Sequence, residues 1–138
     1  MQIIAFAFLA AANPASTSTL QVELQGVRNS RGVIHACLTQ NRALFPNCDR
    51  DPHAFQRTVP ASAHALRFDG VPPGTYALIL FHDQNQNQKL DMLLGIPREG
   101  FGFGRNPVIR FSAPKYDSVA LNLPVGVTRT AVRLQYLL

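Results

Sequence analysis

Asp69-Gly70-Val71-Pro72-Pro73-Gly74-Thr75-Tyr76-Ala77-Leu78-Ile79-Leu80-Phe81-His82 is a turn that runs straight into a strand. Adjacent prolines lack N–H donors, and flanking glycines accept backbone angles that other residues avoid, so the chain reverses over 69–74. From Thr75 to His82 both faces are apolar: Ala77, Ile79 and Phe81 alternate with Tyr76, Leu78 and Leu80. A strand apolar on both sides is covered on both sides, which places it near the middle of a sheet.

Outward from this strand, short alternating segments recur between Gly, Pro, Asn and Asp clusters, the pattern of a sandwich or barrel. Leu20, Val22 and Leu24 alternate with Gln21, Glu23 and Gln25, and Ile34, Ala36 and Leu38 with His35, Cys37 and Thr39. A turn spans Gly26 to Gly32, and Leu66 with Phe68 marks a third strand. Between them, 40–63 has little period and is expected to be a long loop. Beyond His82 come a polar loop, a Gly-rich segment from Gly95 to Asn106, and three more strands: Ile109 with Phe111, Val119 to Leu123, and Val132 to Tyr136. No stretch carries a convincing helical period. The expected fold is all-β, a single immunoglobulin-like or prealbumin-like sandwich of about seven strands, with a small barrel second.

A chain of 138 residues, 46% hydrophobic, fits one domain with its own core. Its charged fraction of 15% is low against the roughly 25% usual in soluble proteins, which leans towards an exported β-domain. The apolar run Ile3 to Ala10, followed by Ala11-Ala12-Asn13-Pro14, has the length and small-residue exit of a signal peptide. It is too short to span a membrane, although no Lys or Arg precedes it. Residues 1–12 are therefore expected to be a signal peptide, with 13–138 the mature domain in the periplasm or outside the cell. Cys37 and Cys48 form an even pair without metal-type spacing and are expected to join as a disulfide in an oxidising compartment. The net charge of +5 comes mostly from arginines scattered singly, with neither a basic run nor interleaved aromatics, so nucleic acid is not the expected partner. A monomer without a transmembrane segment, binding an envelope, glycan or protein partner, is the expected form.

The segment richest in chemistry is His82-Asp83-Gln84-Asn85-Gln86-Asn87-Gln88-Lys89-Leu90-Asp91. Counting Asp83 as first, side-chain oxygens fall at positions 1, 3, 5 and 9, from Asp83, Asn85, Asn87 and Asp91. The Lys89 carbonyl stands at position 7. That spacing lets alternate residues of a turning loop converge on a hard cation such as calcium. Gln88 occupies the sharp turn where Gly is favoured, and position 12 is Leu94, so Glu99 would have to supply the missing carboxylate from the next segment. The competing expectation is a plain turn in which Asn and Asp bond their own backbone.

Gly74-Thr75-Tyr76-Ala77, the 82–91 pattern, and Gly95-Ile96-Pro97-x-Glu99-Gly100-Phe101-Gly102-Phe103 together resemble an uncharacterised bacterial family, domain of unknown function 2141. The resemblance implies an exported β-sandwich and no assigned activity. Gln88 and Gly104 depart from the family's usual Gly and Ser. The phenylalanines of the Gly-rich segment are expected to pack back on the 83–91 turn and cap the sandwich end, in preference to forming an exposed aromatic tip.

An enzymatic alternative is a small hydrolase using His82 and Glu99. Against it, no Gly-x-Ser-x-Gly or HExxH motif occurs, and His35, His53 and His64 stand isolated along the chain. The favoured expectation is a non-catalytic module whose loop takes calcium weakly.

Overall fold

The computed structural model describes residues 16–90, 92–93, 96–109 and 112–138. The expected leader at 1–12, Asp91 and Phe111 lie outside the described residues. Two sheets face one another. The smaller joins Ser18–Gln25 (β1) to Ala65–Val71 (β4) antiparallel and to Gly126–Arg133 (β10) parallel, with β1 in the centre. The larger has the order Phe55–Pro60 (β3), Val33–Thr39 (β2), Gly74–Asp83 (β5) and Phe101–Phe103 (β8). Ala120–Leu123 (β9) pairs with the first half of β5, on Gly74 to Ala77, while β8 pairs with Ile79 to Phe81. Met92–Leu93 (β6) and Ile96–Pro97 (β7) form a separate two-residue ladder.

The core lies between the sheets and follows the alternation of each strand. Leu20 and Val22 of β1 meet Ile34 and Leu38 of β2 and Leu78 and Leu80 of β5, all with no exposure. Each such side chain contributes about 1.5–3 kcal/mol through its burial. The other face of β5 is covered too, as its two-sided apolar pattern requires. Ala77 and Ile79 pack with Phe101, Phe103, Tyr116, Val119 and Phe45 in a second cluster.

Eight strands make up the two facing sheets, where about seven were expected. The segment 40–63 is not simply a long loop, because its second half is β3, paired with β2 from Val33↔Pro60 to Leu38↔Phe55. Among the described residues β3 has a paired neighbour on one side only, and Gln56, Arg57 and Thr58 are exposed. A half-wet edge strand carries little period, so it was illegible. Its first half holds a single 3-10 turn, Cys48–Arg50. Ile109 lies outside any strand. One helical turn, Tyr116–Val119 (α1), replaces the start of the next expected strand, so Val119 ends a helix and β9 begins at Ala120. β10 starts earlier than expected, and beyond Arg133 the chain keeps only a bridge between Gln135 and Phe101. Among the described residues no helix is long and apolar enough to cross a membrane.

Candidate functional site

Asp83 ends β5, and the loop after it winds around its carboxylate. Oδ1 accepts the Asn87 amide at 3.1 Å, and Oδ2 accepts the Gln88 amide at 2.7 Å. His35, from the neighbouring strand, reaches Oδ2 through Nε2 at 2.8 Å. A carboxylate only accepts, so Nε2 carries the proton. Alternate side chains repeat the pattern outward, with Asn85 Oδ1 accepting the Asn87 amide at 3.3 Å and Asn87 Oδ1 the Lys89 amide at 3.0 Å. Gln86 and Gln88 sit in the left-handed region, at φ 55° and 63°. A side chain other than Gly is costly at such angles, and the three amide bonds to Asp83 and Asn85 hold the turn despite it.

Glu99 reaches the loop from the next segment. Its side chain is buried, and Oε2 accepts the Gln84 amide at 2.6 Å. Asp83, Asn85, Asn87 and Glu99 are thus all drawn onto the same loop, while Asp91 lies outside the described residues. Calcium takes six to eight oxygens. The loop oxygens have the right chemistry but are partly committed, since Asp83 already accepts three N–H groups. Among the described residues no group of three or more His, Cys, Asp and Glu side chains is placed to hold a metal. The donor set fits a hard cation only in part.

His82 and Glu99 are both buried and engaged in hydrogen bonds. His82 has no exposure; its Nε2–H donates to the Arg31 carbonyl at 2.7 Å, and its Nδ1 meets the Tyr136 hydroxyl at 2.8 Å. The Tyr136 oxygen also accepts the Arg28 amide at 3.0 Å. Burial raises the Tyr136 pKa above its ordinary value, with the Arg28 contacts opposing the shift. Both ring nitrogens of His82 are occupied, Nδ1 in tying β5 to the C-terminal segment and Nε2 in tying it to the turn before β2.

His35, isolated along the chain, is a satisfied histidine with both ring nitrogens bonded. Period-two alternation places it on the outer face of the larger sheet, between Asp83 on β5 and Thr58 on β3, with Nδ1 2.9 Å from the Thr58 hydroxyl. Its ring lies 4.8 Å from that of Phe81. Beside it on the same face, Cys37 is joined to Cys48 as a disulfide, Cα atoms 6.4 Å apart, as the two cysteines predicted. The bridge draws the 3-10 turn over the sheet and leaves a recess of about 1060 Å³. Ile79, Phe81, Phe101 and Phe103 line it, with His35, Thr58 and Lys89 among its polar groups. The phenylalanines of the Gly-rich segment therefore pack on the outer sheet face and do not cap the sandwich end. Gly100 and Gly102 permit this, because a Cβ on either would strike Tyr136 or Val132 of the C-terminal segment. Sequence alone left the recess unseen; the one signal for it was the apolar second face of β5.

A family model described as "Uncharacterized protein conserved in bacteria (DUF2141)" matches residues 22–131, most of the sandwich. No curated protein and no solved structure matches the chain.

Proposed function

The chain belongs to the DUF2141 family, and from the recess on its larger sheet we propose that it is an exported, non-catalytic module that binds a component of the cell envelope. The observation that carries this reading is the apolar-floored recess, about 1060 Å³ and walled by the disulfide. A concave apolar site with a few convergent polar groups is the usual form of a small-ligand site. Export is supported by the leader-like residues 1–12 and by the Cys37–Cys48 bridge, which persists in oxidising compartments. The non-catalytic part is supported by His82 and Glu99, whose hydrogen bonds brace the fold. The 83–91 loop stands at one end of the recess, and calcium, bound weakly at roughly 10⁻⁴–10⁻³ M as in extracellular modules, stiffens it further.

The test is retention of envelope components from a membrane extract by immobilised protein. Wild type is expected to retain a component that Ile79→Arg, which places a charge on the recess floor, does not. Equal retention by the two proteins would remove the recess from the proposal.

A further inference from the structure

We propose that the recess takes a single-chain anionic amphiphile, its hydrocarbon chain along the sheet face and its acid group at the loop end, against Lys89. This rests on the recess being the binding face and goes further by naming the ligand's chemistry.

The floor sets the first half of the argument. Ile79 and Phe81 of β5 stand directly across from Phe103 and Phe101 of β8, and Cys37 with its disulfide lies opposite Ile79 on the other side. None of these side chains offers a strong hydrogen-bonding atom. A ligand rich in hydroxyls would leave them unpaired over this surface, at a cost of about 1–3 kcal/mol each. A hydrocarbon chain loses nothing there. The volume, about 1060 Å³, is ample for one such chain.

The ends set the second half. Strand register pairs His35 with Phe81 and Cys37 with Ile79, so one two-residue step along the sheet passes from polar to apolar. At the polar end the Thr58 hydroxyl donates to His35 Nδ1 and His35 Nε2–H to Asp83, which leaves Lys89 as the donor that can meet an acid head. Arg57 borders the recess only through its strand, because its guanidinium turns to the opposite face, 5.4 Å from the Phe68 ring centre. Lys89 is thus the cation available to the recess among its described lining residues, and Asp49 stands on the disulfide side. The Asp83 carboxylate at the loop end is fully buried and engaged by three N–H groups, so Lys89 at that end and Asp49 at the other set the direction of a ligand with one acidic head.

Calorimetric titration of the full chain with oleate, below its aggregation threshold, tests this. Saturation at one molecule per chain is expected. Lys89→Glu should weaken oleate about five- to tenfold or more, from the loss and reversal of one ion pair, while oleyl alcohol binds as to wild type. Ile79→Arg should abolish both, with its melting curve compared to confirm folding; Lys89 is exposed, so its variant remains decisive if Ile79→Arg does not fold. Absence of one-site saturation by oleate, or equal weakening of acid and alcohol by Lys89→Glu, overturns the amphiphile. If an envelope component is still retained through Ile79 under those outcomes, only the ligand class falls; if retention is also insensitive to Ile79→Arg, the binding face falls with it.

Discussion

Asp51 closes the segment between β2 and β3 by accepting the Thr39 hydroxyl at 2.6 Å and the His53 amide at 2.9 Å. Thr39 in turn accepts the Asn41 amide at 3.0 Å, so one carboxylate organises both ends of the excursion that carries Cys48. These bonds favour the charged form, and the Thr39 hydroxyl is the larger cause of a pKa held below the ordinary carboxylate value. A depressed pKa contributes stability that is present above the unfolded-state value and is lost as pH falls through the folded one. Asp51→Asn is therefore expected to melt roughly 4 °C below wild type at pH 7. The gap should close on acidification below the carboxylate range. Thermal melts across pH check it, and a gap that stays constant into acid would show that Asp51 acts by packing alone. Asp83 is a buried carboxylate that accepts three N–H groups, and its position at a strand end was legible from the sequence. Its partnership with His35 was not, since the two residues are far apart along the chain.

Among elements, the described part of the loop, 83–90, is held by its own hydrogen bonds. Its alternate Asp and Asn side chains turn inward at the spacing of a cation loop, yet they bond the loop's own amides as a plain turn does. These bonds order the loop by themselves, so the proposed calcium would add little. Melting the protein in millimolar calcium and in EDTA should separate the curves by a few degrees at most, since a ligand near its dissociation constant contributes below about 1 kcal/mol. Superimposed curves would remove calcium from the loop. β5 was readable because both of its faces are buried and its period is strong. β3 was not, because an edge strand with three exposed residues in succession offers no alternation to read. α1 escaped for a related reason: at four residues it is too short for the 3.6-residue period to repeat.

At the scale of the molecule, the family match over residues 22–131 spans the strands of both sheets from β1 to β10. If residues 1–12 are removed on export, intact-mass measurement of the chain from a periplasmic fraction should give a species beginning at Asn13. A species retaining Met1 would refute export by this leader. The sequence by itself determined the all-β class, the central place of 75–82, the cysteine pair and the turning loop after Asp83. All of these are local, set by alternation, turn chemistry or spacing within a few residues. Only the tertiary structure decided which strands are neighbours, and with them the recess. His35, Thr58, Phe81 and Phe103 come from four strands whose juxtaposition depends on register across the sheet. Register is set by burial of one face against a partner sheet, and no single segment carries that information.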